Sequence, residues 1–357
     1  MFRFAPSSII LALVLCLASA TASPAHLGSL SYSQLRMEGS HILYRLRFAA
    51  HLIPGTGPAM EGKLVRTDIV RMEPRLLEWL ANSVRIESGT TPCVPSIADT
   101  MGPDANDDLE VVLDFACRGP VDGMRLAFNA FDRQLPDYQN IVAVETGTRK
   151  FGFVLSQASP RLNIPAAHTD QAAGEPGPGF FTLGIGHILG GFDHLLFLLG
   201  LLLLGGTLSR LALVVTSFTL AHSITLALSA LGLFRLPAEP VELAIALSIV
   251  WVGAERLGRT SHDRRLPLAF GFGLMHGFAF ADLLGRSGLE QSEMLGPLLG
   301  FNLGVEAGQL LVIVPALVLL GLLRTRSRAD MFERVLAWLL VAVGLAWATE
   351  RAATLLA

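Results

Sequence analysis

Two hydrophobic patterns divide this chain. Over residues 23 to about 156, apolar and polar positions alternate in short stretches punctuated by Gly, Pro, Asp and Asn. That period of two predicts strands at 31–39, 41–50, 63–70, 84–88, 108–117, 124–131, 140–147 and 151–156. MEPRLLEWLANSV (72–84) breaks the alternation and reads as a short helix. From about residue 180 the pattern changes to long apolar runs at 181–204, 211–233, 238–256, 267–285, 295–323 and 333–350. A helix of roughly 20 such residues, rising about 1.5 Å per residue, covers a hydrocarbon core of about 30 Å. The expected architecture is an all-α polytopic bundle of six transmembrane helices, residues 180–357, preceded by a mainly-β, sandwich-like domain at 23–156. A Pro/Gly/Ala-rich linker without periodicity, residues 157–179, joins the two.

The amino terminus adds a compartment. Residues 1–22 carry Arg3, an apolar core from Ile9 to Leu17 and the small-x-small triplet Ala20-Thr21-Ala22, the layout of a cleaved signal peptide; an uncleaved first helix is the alternative. The β domain is then extracytoplasmic. Its two cysteines, Cys93 and Cys117, are expected to form one disulfide there, with a pair of buried thiols as the other reading. The acidic stretch DTMGPDANDD (99–108) lacks the spacing of an EF-hand loop and reads as a solvated turn.

Composition agrees with a membrane protein. The chain is 52 % hydrophobic and only 16 % charged, with a net charge of −3 and no basic, aromatic-interleaved patch, so nucleic acid is not an expected partner. Arginines settle the orientation of the bundle. Intervals facing inward if the β domain is outside carry Arg210, Arg256, Arg259, Arg264, Arg265, Arg324, Arg326, Arg328 and Arg334. The opposite intervals carry Arg235 and Arg286, with Arg351 in the tail, which is a positive-inside bias with both the β domain and the carboxyl terminus external.

Ionisable residues inside these runs are the candidate chemistry, because a charge in lipid is costly and faces a partner or a cavity. The first run, FTLGIGHILGGFDHLLFLLGLLLL, holds His187, Asp193 and His194. In an unbroken helix the two histidines would lie about 10 Å apart along the axis, too far for one ion, but Gly190-Gly191 between them permits a bend. His222, His276 and Glu306 fall near mid-depth of the second, fourth and fifth runs. Asn302, Glu306 and Gln309 share a face, and Gly273 with Gly277 forms a small-xxx-small surface for close helix approach. Glu242 lies close to an external interface. Imidazole nitrogen with carboxylate oxygen suits a borderline divalent ion such as Ni²⁺, Co²⁺ or Zn²⁺, so His187, Asp193, His194, His222, His276 and Glu306 are the candidate metal set. For each residue singly, an interhelical hydrogen bond is the competing structural reading.

The motif His187-x5-Asp193-His194-Leu-Leu-Phe resembles the signature of the HupE/UreJ family of hydrogenase and urease accessory membrane proteins. FTLAHSITLALSALG (218–232), GFGLMHGFAFA (271–281) and FNLGVEAGQL (301–310) resemble its branch with a large extracytoplasmic domain. The resemblance implies nickel, or sometimes cobalt, permeation for metalloenzyme assembly in the bacterial inner (cytoplasmic) membrane, with His187, Asp193 and His194 as functional residues. It departs from the family pattern at the second motif: Gly273 stands where an earlier histidine is typical, and no glutamate follows His276 in that helix. The leading expectation is a metal-ion permease or metal-handling accessory protein rather than an enzyme, with no tightly bound cofactor. Its partners would be the divalent ion, the bilayer and envelope or maturation proteins. The alternatives are an intramembrane zinc-dependent hydrolase and a non-catalytic envelope assembly protein.

Overall fold

A computed structural model describes residues 30–53, 66–104, 108–121, 123–130, 138–146, 149–164, 179–234, 236–258, 265–285, 289, 291–325, 327 and 329–356. The expected signal peptide, residues 1–22, lies outside the described residues, as does most of the expected linker. The chain divides into two compact units, Leu27–Leu183 with Leu283–Phe301, and Gly184–Asp282 with Asn302–Ala357.

The first unit is mainly β. Strands β1 (Leu30–Glu38), β2 (His41–Ala49), β5 (Val94–Met101), β6 (Asp108–Ala116), β8 (Gln139–Thr146) and β9 (Arg149–Ser156) form one sheet in the order β5-β6-β2-β1-β8-β9. A second sheet runs β10-β7-β3-β4, from β3 (Val84–Ser88), β4 (Thr91–Pro92), β7 (Met124–Phe128) and β10 (Arg161–Ile164). Alternation builds the core directly. Ile42, Tyr44, Leu46 and Phe48 on β2 lie opposite Phe115, Leu113, Val111 and Leu109 on antiparallel β6, and all eight are buried. With side chains alternating across each strand, this register aims both sets at one face. Both sheets and the helix α1 (Arg66–Ser83) contribute to a single hydrophobic cluster, Leu76 and Leu80 coming from α1.

Three local expectations change. Residues 66–70, expected in a strand, form the start of α1, because the apolar positions Leu76 and Leu80 extend a helical stripe that the flanking segment joins. Residues 94–98, unassigned from the pattern, and 99–101, expected in the solvated turn, together form strand β5, where a bulge between Ile97 and Asp99 disturbs the period. Arg161–Ile164, within the expected linker, pairs with β7 as β10. In the acidic stretch, Asp104 and Asp108 both pair with Arg47, so the carboxylates have an internal cation as partner. One buried polar network crosses the larger sheet: Tyr44 donates to Ser33 Oγ at 2.6 Å, Ser33 donates to Asn140 Oδ1 at 3.0 Å, and Asn140 donates to Ser31. Burial pushes the Tyr44 phenol above its ordinary range, and the Ser33 hydrogen bond opposes this only in part, so it stays a neutral donor. Glu293 belongs to this unit too, accepting from the Lys150 backbone N–H at 2.7 Å.

The second unit is helical. The helices from Gly179 onward are α2 (Gly179–Gly190), α3 (Phe192–Leu203), α4 (Leu208–Ala230), α5 (Ala238–Gly258), α6 (Arg265–Gly285), α7 (Leu295–Arg324) and α8 (Ala329–Leu356). The single first helix expected over 181–204 is instead the pair α2–α3, bent by 70° at Gly191. Among the described residues, α4, α7 and α8 are each long and apolar enough to cross a membrane, and the bent pair makes a fourth span if counted as one. α5 and α6 have 21 residues each but fall outside that set; α5 carries Glu239, Glu242, Glu255 and Arg256 near its ends. Those charges are partnered in part. Glu242 meets Arg351 at 2.9 Å, and Arg256 meets Asp330 and Glu333, each at 3.0 Å. Glu333, only 6 % exposed, also binds Arg324 at 2.7 Å, so one network ties together the ends of α5, α7 and α8. Thr207 caps α4 by accepting from the Arg210 N–H.

Cys93 and Cys117 form the expected disulfide, spanning 24 residues between β5 and the end of β6. By loop-closure entropy a bridge of that span stabilises by about 3 kcal/mol. Replacing both cysteines with alanine in the full-length protein is expected to raise hydrogen exchange across β5 and β6 while leaving the α5–α8 amides unchanged. Unaltered exchange in β5 and β6 would show that the bridge contributes nothing to the unit.

Candidate metal centre

The site grows from the break in the first apolar run. α2 closes on the Gly191 N–H donating to the His187 carbonyl at 3.0 Å, and α3 opens on the Leu195 N–H donating to the Gly191 carbonyl at 3.0 Å. Asp193, in the first turn of α3, accepts from the His194 backbone N–H at 2.8 Å through Oδ1. A carboxylate there also complements the positive end of the helix dipole. Gly191 is required sterically. A Cβ at this position would lie 2.6 Å from His194 Nδ1, 2.9 Å from the His187 carbonyl oxygen and 3.0 Å from Asp193 Oδ1.

The bend brings together what a straight helix would hold apart. The His187 and His194 rings lie with centroids 4.5 Å apart, and the His222 ring of α4 is 5.9 Å from His187. His187, His194 and His222 each offer a nitrogen, and these three atoms all lie within 4.8 Å of one another. At a metal–nitrogen distance of about 2.1 Å, neighbouring ligand nitrogens are about 3.0–3.4 Å apart, so the three nitrogens would reach coordination distance by drawing in slightly. His276 on α6 is next to it, 4.9 Å from His194 by ring centroids.

Two of the rings have their tautomers fixed. His194 Nδ1 lies 2.8 Å from Asp193 Oδ1, and a carboxylate can only accept, so Nδ1 carries the proton and Nε2 keeps its lone pair. His276 Nδ1 lies 2.9 Å from the Phe272 carbonyl, and the same reasoning leaves its Nε2 as the bare nitrogen. Both Nε2 atoms are buried and without a hydrogen-bond partner among the described residues. A buried acceptor left unmade is costly, and an imidazole oriented by a carboxylate through its other nitrogen is the usual arrangement around a metal. The Asn302 side chain of α7 lies near the fully buried His222 ring.

Glycine also sets the distance between α4 and α6. A Cβ on Gly273 would run into the Phe218 carbonyl oxygen, and one on Gly277 into the His222 carbonyl and the Thr225 hydroxyl. The small-xxx-small surface therefore packs directly on the α4 backbone, which is what brings His276 to the cluster. It also explains the departure from the family pattern at position 273, since no side chain fits there while the helices stay this close.

Of the six residues expected from the sequence, the structure gathers His187, His194 and His222, with Asp193 and His276 bonded or stacked against His194. Glu306 is not in this group. Its carboxylate accepts from Thr216 Oγ1 at 3.2 Å, on the face between α4 and α7. The pattern did not single out three phenylalanines that close one side of the cluster. Phe197, Phe218 and Phe272 each lie one helical turn from a histidine of the same helix, and Phe197 packs on both others at 5.3 and 5.7 Å. Phe218 and Phe197 also contact the His276 ring at 5.0 and 5.6 Å. Their i+3 and i−4 spacing from the histidines was the available signal.

Membrane-length apolar helices with an imidazole cluster buried between them define the class: a polytopic membrane protein with a candidate metal centre. A family model described as HupE / UreJ protein matches residues 165–351, just over half of the chain, and the chain belongs to that family of membrane proteins. No curated protein matches it.

Substituting Gly191→Ala is expected to push apart His187, Asp193 and His194 and lower divalent-metal affinity at least tenfold, as measured by equilibrium dialysis of the purified protein with Ni²⁺. Unchanged affinity in that variant would mean the observed bend is not what assembles the site.

Proposed function

We propose that the protein is a metal-ion permease of the membrane, with Ni²⁺ as its preferred substrate, supplying metalloenzyme assembly. The observation that carries this reading is the convergence of His187, His194 and His222 within 4.8 Å inside an apolar bundle, the Nε2 of His194 held out as a lone-pair donor by Asp193. Three neutral imidazoles suit a borderline divalent ion, and His276 is within reach as a fourth ligand. Co²⁺ and Zn²⁺ fit the same donor set. Asp193 acts through His194, because its Oδ1 already accepts from the backbone N–H and the ring Nδ1–H of that residue. That assignment also favours transport over hydrolysis: a carboxylate bound to a ligating histidine is not poised as a general base toward a metal-bound water.

The reading carries a topology. Six spans, counting the bent pair as one and α5 and α6 as two more, set the β unit and the α6–α7 connection on the same side of the membrane; Glu293 in that connection is bound by Lys150 of β9. The Arg256–Glu333–Arg324 network then lies at the cytoplasmic end, in line with the arginine distribution. The family of membrane proteins and the signal-like amino terminus support the inner membrane, with the β unit outside, where its disulfide is stable.

Ni²⁺ uptake into proteoliposomes is expected to fall at least tenfold in His194→Ala, and about 10–100-fold in Asp193→Asn, the range for losing a group that orients a ligand. Equal flux in wild type and both variants would sink the permease reading. Binding should also weaken in acid, because protons compete with the ion for imidazole nitrogen; a Ni²⁺ affinity unchanged down to about pH 3 in the folded protein would argue against histidine ligation.

A further inference from the structure

The histidine cluster is closed on one side by phenyl rings and bordered on another by polar residues. Between α4 and α7 the side chains line up in three rungs: Asn302 near His222, Thr219 bonded to Gln309 at 2.8 Å, and Thr216 bonded to Glu306 at 3.2 Å. Thr219 and Thr216 follow His222 at steps of three residues, one face of α4, so the last rung is about 9 Å along the helix from the histidine. All of these partners belong to the one helical unit.

The lower two rungs are chemically unfinished. The Thr219 hydroxyl has one proton and two neighbours in reach, the Val215 carbonyl at 3.2 Å and the Gln309 amide at 2.8 Å. Donating to Val215, the usual back-bond in a helix, leaves it to accept from the Gln309 NH₂. As placed, Gln309 Oε1 accepts from Thr219 and the NH₂ is the unpartnered end; amide oxygen and nitrogen are assigned by such partners, and the Val215 back-bond favours the flipped amide, with its carbonyl oxygen as the unused end. Gln309 is completely buried, and its second amide atom has no partner among the described residues. Glu306, half-buried at mid-helix, meets only the Thr216 hydroxyl and no cationic side chain among the described residues. A carboxylate, a buried amide oxygen and hydroxyls directed to one seam are an oxygen donor set of the kind that holds a cation.

We propose that this seam is a second cation station, distinct from the histidine cluster and next on the ion's path, with Glu306 and Gln309 as its principal ligands. The inference rests on the permease reading above. The order follows from donor chemistry: imidazoles hold Ni²⁺ more tightly than an all-oxygen set, so capture falls to the histidines and departure to the seam. Conduction needs such a weaker successor, since an ion bound only by imidazoles would not leave at a useful rate. The Phe197, Phe218 and Phe272 rings block the direct continuation beyond His194 and His276, which sends the ion sideways past His222 and Asn302.

The test uses the full chain in nanodiscs and proteoliposomes, with Ni²⁺ itself as probe. Wild type is expected to bind two ions, one tight and one at least tenfold weaker. Glu306→Gln and Gln309→Leu should retain the tight ion with an unchanged Ni²⁺–imidazole absorption spectrum, lose the weak one, and transport at least tenfold more slowly; Glu306→Asp should recover part of both. The retained spectrum shows that these variants are folded. If Glu306→Gln abolishes the tight site, Glu306 belongs to the histidine cluster and the second station does not exist. If it slows flux with both ions still bound, its role is proton transfer and the station is likewise refuted. Wild-type stoichiometry and flux in both variants would overturn it as well. Equal flux in wild type and His194→Ala would instead remove the permease reading itself, independently of these results.

Discussion

The Asp193–His194 contact at the Gly191 bend is the interaction on which the helical unit's chemistry depends. In a continuous helix, His187 and His194 would share a face but stand two turns apart, and no single ion could bridge them. Interrupting the helix for one residue turns the second piece by 70° and folds the two rings to within 4.5 Å. The interruption exposes backbone groups at both helix ends, which would be costly in an apolar surrounding. Here those groups find partners at once. The Gly191 N–H reaches back to His187, and the Asp193 carboxylate takes the His194 N–H while also holding its ring. One carboxylate thus satisfies the local backbone and selects the ligand's tautomer.

The rest of the unit is arranged to keep that geometry dry and close. Gly273 and Gly277 let α6 approach the α4 backbone so closely that His276 sits beside His194. The phenylalanines one turn away fill the space that the histidines leave, excluding water from one side of the cluster. In that environment an imidazole with a bare, buried Nε2 carries an unmet acceptor, the chemistry on which the proposed metal site rests. The β unit is stabilised by different means, alternating strands over one core and a disulfide.

Much of this was legible in the chain, and the parts that were not have separate physical causes. Histidine and aspartate within apolar runs are conspicuous because lipid penalises them, so His187, Asp193, His194, His222 and His276 stood out before any geometry was known. The same cue flagged Glu306, yet depth along a helix says nothing about which interhelical face a residue occupies, and Glu306 lies on the α4–α7 seam. Phe197, Phe218 and Phe272 were invisible for the opposite reason. An aromatic residue in an apolar run carries no penalty and so no signal. In the β unit, period-two alternation gave β2 and β6 cleanly, whereas the bulge in β5 and the amphipathic start of α1 obscured it.

By itself, the sequence determined the division into an alternating region and long apolar helices, the cysteine pair, and the ionisable residues that a membrane would tolerate only for a purpose. Each of these follows from local composition and from the cost of placing a polar group in an apolar medium. The tertiary structure alone decided which of those residues meet. A 70° turn at one glycine and the absence of side chains at Gly273 and Gly277 convert residues distant in sequence into neighbours. Their meeting depends on interhelical distances of a few ångströms, which no single helix encodes.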